Sequence, residues 1–320
     1  MRSLAFVLVT LVIACSPGKP ADPADAGAGD GPPAHGFQLV SPSVDISPGG
    51  DLTYCYYFHT PNTSDLSIQR WVSHMTAGSQ FMIVYLTSTD LQTPGTLSTT
   101  NCGMASVVGP VWLYAATSPD AETTLPADDG QGNAIGQPIA ASQSGFIQMH
   151  YVNTTSAVIH AHVELDAYAY DDGVPVTPAG PFIAINRRID LPSGSATSPT
   201  TGMVNGTCDV LPDNGKIPTF FKVTTHTYKQ STHTFVKDVD TTIFDSTSWA
   251  DPGATRWDAP PFYIFASGQL TYQCEYLNPN NYSIVNGNDA ATDEMCMAIG
   301  FYFPSPNGAG HFCLNSTMLY

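Results

Sequence analysis

Nine histidines and nine methionines in a 320-residue chain make metal coordination the first chemistry to weigh. The informative ones sit on or beside alternating apolar runs: Val72-Ser73-His74-Met75, Met149-His150-Tyr151, Val223-Thr224-Thr225-His226-Thr227-Tyr228 and Asp293-Glu294-Met295-Cys296. Imidazole nitrogen together with thioether sulfur suits copper, because soft sulfur favours Cu(I) while imidazole accommodates both oxidation states. His160-x-His162 places two imidazoles on one face of a strand, but no third ligand follows nearby, so these read as ordinary strand residues. His59 and His311 stand in turn-like surroundings and His35 in a Pro/Gly-rich stretch.

The elements that must position these residues are strands. Period-2 runs recur between turn signals at 52–58, 80–86, 145–152, 157–170, 219–228, 260–266, 270–277 and 296–303, and no stretch holds a 3.6 period. Only 12% of residues are charged, with 27 Gly and 26 Pro, which fits many short strands joined by turns. Ten Lys+Arg against 27 Asp+Glu leave a net charge of -17, a field that repels phosphate backbones, so no nucleic-acid partner is expected. A break at Asp171-Asp172-Gly173 followed by a Pro/Gly-rich segment divides the chain into two halves, 36–173 and 174–320.

The amino terminus points to export. Met1-Arg2 and the apolar run at 4–14 form a signal peptide too short to span a bilayer, and Val12-Ile13-Ala14-Cys15 resembles the lipobox of bacterial lipoproteins. That resemblance implies cleavage after residue 14, lipidation of Cys15 and anchoring at the outer membrane of a bacterial cell envelope. Ordinary secretory cleavage nearby is the other reading. Residues 16–35 are poor in large apolar side chains and read as a disordered tether. Of seven cysteines, the six beyond Cys15 are an even set in an exported chain and predict three disulfides, with no C-x-x-C spacing to signal zinc or thioredoxin chemistry.

Several motifs together resemble the copper type II, ascorbate-dependent monooxygenases, the family of peptidylglycine alpha-hydroxylating and dopamine beta-monooxygenase. They are GFIQMHYVN (145–153), the SHM tripeptide at 73–75, TTHTYKQSTHTF (224–235), and DEMC (293–296) followed by an apolar aromatic strand. WLYAAT (112–117) and the LPADDGQGNAIG stretch (125–136) extend the likeness over most of 36–320. The resemblance implies an all-β fold of two tandem jelly-roll-type antiparallel β-sandwich domains with an open cleft between them and one copper on each. It also implies dioxygen and ascorbate as co-substrates, and hydroxylation of a C–H bond on a small-molecule substrate.

Residue by residue, the family's H-H-M pair falls on Ser73 and His74 and its H-Y histidine on His150, so His74 and His150 are the expected ligands of the first copper. For the second, dioxygen-binding copper, Met295 matches the family's methionine. The H-x-H motif falls on His226 with either Tyr228 or Thr224 in place of its partner. His226 and Met295 are thus the expected catalytic ligands, with Tyr228 or His233 as substitutes for the missing imidazole. A two-residue turn at Lys229-Gln230 sets 226 opposite 233 in a hairpin; His233 is otherwise a surface histidine in a Thr/Ser-rich turn. The resemblance pairs Cys55 with Cys102, Cys208 with Cys313 and Cys274 with Cys296. Met297 and Ile299 stand where the peptide-hydroxylating member binds a substrate carboxylate, and Lys222 stands near its carboxylate-binding arginine, which makes peptidylglycine a poor substrate. With two of six ligands replaced, a copper-binding surface protein without turnover, or an interaction module with vestigial sites, stands beside the enzyme reading.

Overall fold

The computed structural model describes residues 32–99, 102, 111–212 and 215–319, so the leader, Cys15 and most of the tether lie outside the described residues. The first half carries β1 (Gly36–Val40), β2 (Val44–Ile46), β3 (Asp51–His59), β4 (Leu66–Met75), β5 (Ser79–Leu86), β6 (Leu97–Ser98), β7 (Val111–Ala116), β8 (Asp120–Thr124), β9 (Ala134–Ile139), β10 (Ser144–Val152), β11 (Ile159–Ala161), β12 (Val163–Ala169) and β13 (Val176–Pro178). The second half carries β14 (Gly180–Ile185), β15 (Asp190–Leu191), β16 (Thr200–Asp209), β17 (Thr219–His226), β18 (Ser231–Asp238), β19 (Thr241–Ser246), β20 (Thr255–Arg256), β21 (Gln269–Asn278), β22 (Ile284–Val285), β23 (Met297–Phe303), β24 (His311–Leu314) and β25 (Thr317–Met318). The sole helical turn among the described residues is a 3-10 turn at Pro306–Gly308.

Four sheets carry the architecture. Sheet I has the order β1-β12-β4-β9-β13 with β8 on β4; sheet II is β6-β3-β10-β5-β7; sheet III is β20-β17-β23-β14-β24-β25; sheet IV is β16-β21-β18-β19. Sheets I and II form the first sandwich: the Trp71 ring of β4 stacks on Tyr114 of β7 at 5.9 Å, and Ser73 Oγ lies 2.9 Å from the Tyr114 hydroxyl. Sheets III and IV form the second, stapled by Cys208–Cys313 between β16 and β24 and by Cys274–Cys296 between β21 and the entry to β23. Cys55–Cys102 completes the three bridges, so all three expected pairings form. Pairing is antiparallel except for β13 on β9 and β24 on β14, which run parallel. β13 lies beyond Gly173 and still pairs with sheet I, so the crossing to the second sandwich comes at residues 178–180.

Sheet III is buried on both faces. Along β14 and β23, Ile183, Ile185, Met297, Ile299 and Phe301 pack with the first sandwich's core, while Phe182, Ala184, Ala298 and Tyr302 pack toward sheet IV. Sheets II and III therefore meet over a closed apolar seam, giving four layers in the order I, II, III, IV. This differs from the open interdomain cleft that the resemblance implies. The physical cause is the aromatic and aliphatic surface on both sides, which gains free energy by leaving water.

Candidate functional site at the domain seam

β17 alternates between the seam core shared with the first sandwich and the second sandwich's own core. Val223 packs toward sheet IV and Thr225 Oγ1 bonds Thr234 Oγ1 at 2.7 Å, so His226, at the strand's end, faces the seam. Its ring meets Phe81 and Trp112 of the first sandwich edge-on, at 5.6 and 5.9 Å, and Tyr228 at 5.4 Å. Nε2 is buried and has no hydrogen-bond partner. Burial, with His150 adding to it, lowers the imidazole to about 4, so the ring is neutral at physiological pH.

His150 arrives from the other side. Its strand β10 turns Met149 and Tyr151 into the first sandwich, while His150 packs against Phe81 at 5.2 Å and bonds Asp51 Oδ1 through Nε2 at 2.7 Å. His150, His226, Phe81, Gln80, Thr117 and Tyr228 line one small cavity, which offers the centre of a water molecule about 20 Å³. The structure thus brings together one histidine from each of the two expected copper sites.

Met295 is placed by its neighbour Glu294. That carboxylate is fully buried and accepts the backbone N–H groups of Tyr228 (2.9 Å), Gln230 (2.8 Å) and Met295 (3.2 Å). Desolvation outweighs these bonds and raises its carboxyl to about 7. Tyr276 donates its hydroxyl to Met295 O at 2.8 Å. His226 pairs in register with Met297, so Met295 lies two residues along, and its side chain belongs to the seam core. Tyr228 is buried beside His226, its hydroxyl pushed upward by burial and by the nearby Glu294 charge.

Three expected placements do not occur. His74 sits on β4 next to inward-facing Ser73, so its imidazole points off the outer face of sheet I, where Nδ1 meets Asp120 at 2.7 Å; His150 is on sheet II. Side chains alternate along a strand, and the serine took the inward place. His233 is not opposite His226 in a hairpin. β17 belongs to sheet III and β18 to sheet IV, so the turn between them is an arch whose N–H groups are taken by Glu294, and His233 bonds Asp245 and Glu275 on sheet IV. Those carboxylates raise the His233 imidazole. His160 and His162 do not share a strand face either: the chain breaks between β11 and β12, sending one to Asp45 and the other to Thr76.

Sequence reasoning passed over Phe81, Trp112 and Asp51, whose roles depend on which sheet faces which. Glu294 had a signal, since a carboxylate beside a buried methionine needs donors. A larger cleft of about 560 Å³, between Leu86, Thr87, Leu113, Ile139 and Asn307, shares no lining residue with the His226 cavity.

No protein-family model matches the chain, and no curated protein matches it. Among solved structures, one alignment is to the PBSX exported protein XepA, at 7% identity and a TM-score of 0.21, covering 83% of this chain and 86% of that one. At that score the likeness bears on neither fold nor function.

Proposed function

We propose that this protein is an exported copper-binding protein of monooxygenase-like build, holding a single Cu(I) at the domain seam on His226 and Met295, with His150 reaching it from the first sandwich. The observation that carries this reading is the buried, partnerless and neutral Nε2 of His226. Leaving such a group unbonded costs about 1–3 kcal/mol, and a soft cation beside thioether sulfur is the partner that suits it. Asp51 holds Nε2 of His150 and leaves Nδ1 as the nitrogen for a metal, the carboxylate–histidine arrangement that fixes ring orientation in metal sites. Glu294 fixes the backbone of both the 228–230 turn and Met295, so the segments that carry His226 and Met295 share one anchor.

When bound, copper supplies one-electron redox chemistry and Lewis acidity. The residues around it bind and exclude water. A cavity with room for about one water admits no organic substrate while the seam is shut. Copper binding is therefore placed ahead of turnover. Hydroxylation with dioxygen and ascorbate is the second reading, supported by the three disulfides that pair as the resemblance implies. Export, and a lipid anchor at Cys15 in a bacterial envelope, complete the proposal, and the disulfides support an oxidising compartment.

Anaerobic Cu(I) competition against bicinchoninate tests it. One copper per chain is expected; His226→Ala and Met295→Ala should each weaken binding by about tenfold or more, consistent with outer- and inner-ligand losses elsewhere, while His74→Ala leaves it unchanged. Unaltered binding in His226→Ala overturns the site. Oxygen uptake by the copper-loaded protein with ascorbate separates an enzyme from a binder.

A further inference from the structure

The cleft of about 560 Å³ lies at one end of the first sandwich, where β5 and β9 end and β7 begins, and the Pro306–Gly308 turn of the second half borders it. That turn is pinned. Ser305 donates its N–H to Pro178 O at 2.7 Å and accepts the Gly310 N–H on Oγ at 3.1 Å, and Gly308 stands so close to Pro138 that a Cβ would lie 2.6 Å from its ring. The volume falls in the range of small-molecule clefts, which favour such junctions between domains. Leu86, Leu113, Pro138 and Ile139 supply the walls and no aromatic ring lines it, so the body it receives is aliphatic. One charged group lines it, Asp65. Its Oδ1 accepts the Ala141 N–H at 2.9 Å, which fixes the carboxylate, and among the described residues no cation pairs with it. Residues 36–178 hold Arg70 alone against twelve Asp and Glu, and Arg70 is spent on Glu122 and the Tyr168 ring at the outer face of sheet I. Of the uncharged polar lining, Gln143 Nε2 is taken by Thr87 O at 2.7 Å, and Asn307 is exposed in left-handed backbone at φ 57°.

We propose that this cleft binds a small aliphatic amine, its chain against Leu86, Leu113 and Ile139 and its ammonium on Asp65. The lining selects by sign. An ammonium gains a charge-assisted pair with a carboxylate that has no protein cation, an alcohol of the same length gains the apolar burial alone, and a carboxylate meets a like charge with no donor of opposite sign to offset it. Asp65 is exposed, so the pair stays in contact with water and its preference is modest; burial of the chain supplies most of the affinity. The cleft shares no lining residue with the His226 cavity, and its test is independent of copper.

The intact protein, methyl-labelled at Ile and Leu, is titrated with n-hexylammonium, hexan-1-ol and hexanoate at matched ionic strength and followed by NMR. Methyl shifts are expected at Leu86, Leu113 and Ile139, with a Kd on the order of 1 mM for the ammonium, the range open to a ligand of about seven heavy atoms. The alcohol should bind about fivefold more weakly, the upper end for an ion pair in contact with water, and hexanoate more weakly still. Asp65→Asn keeps the Oδ1 acceptor for the Ala141 N–H and should bring the ammonium and the alcohol to one Kd. Ala309→Trp, at an exposed lining position, should abolish all three titrations. Because the comparison of probes is made on wild type, folding defects in a variant do not obscure it. Hexanoate binding as tightly as hexylammonium, or no shift at Leu86, Leu113 and Ile139, overturns the proposal; an unchanged preference for the ammonium in Asp65→Asn overturns the role given to the carboxylate.

Discussion

His226 and Glu294 sit on either side of Tyr228 and pull the pH dependence of stability in opposite directions. The imidazole is lowered from 6.5 to about 4, so the unfolded chain takes the proton first and stability is lost as pH falls through that interval. The carboxyl is raised from 4.5 to about 7, so the folded chain keeps its proton longer and stability is lost as pH rises through that interval. In copper-free wild type the two offset each other. His226→Phe should leave stability falling with rising pH, and Glu294→Gln should leave it rising, each by on the order of 3 kcal/mol between about pH 4.5 and 7. Urea midpoints at several pH values check this; parallel slopes in the two variants would refute it. At this scale the place of His226 at a strand's end and of Met295 at a strand's entry was legible, because TTHTY and DEMC abut apolar runs. His74 was not, since adjacent residues on a strand face opposite ways and the sequence does not say whether Ser73 or His74 turns inward.

Most strands were legible because alternation and length agree: the runs at 52–58, 80–86, 145–152, 270–277 and 296–303 became β3, β5, β10, β21 and β23. The run 260–266 did not become a strand. Pro260 and Pro261 lack N–H donors, and the segment keeps one bridge, Tyr263 to Phe220. Partnering was illegible: Thr225 and Thr234 bond across an arch between sheets III and IV where a hairpin would have set them in one sheet. The two staples between those sheets close loops of very different length, 105 residues for Cys208–Cys313 and 22 for Cys274–Cys296. On chain entropy, Cys208→Ala/Cys313→Ala should cost about 1.4 kcal/mol more than Cys274→Ala/Cys296→Ala, measured by guanidinium denaturation under non-reducing conditions. Equal costs would show that the unfolded chain keeps native-like contacts there.

The break at Asp171-Asp172-Gly173 precedes β13, which still pairs with sheet I, and the seam was not legible, because no local pattern distinguishes a strand buried on one face from β23, whose seven residues are all buried. A shared core couples the sandwiches, so a single calorimetric transition is expected. Phe301→Ala should cost about 3–5 kcal/mol and split that transition in two. A single transition with unchanged midpoint would refute the coupling. β23 also orders events in time. β14 and β17, its neighbours in sheet III, are synthesised long before it, and neither pairs with the other. A ribosome that has reached residue 290 has therefore made two sandwich halves' worth of apolar strand without the one that joins them. Such a chain already holds the first sandwich with Cys55 and Cys102 in it, but Cys208–Cys313 and Cys274–Cys296 have no folded frame to form in until the last strands are made.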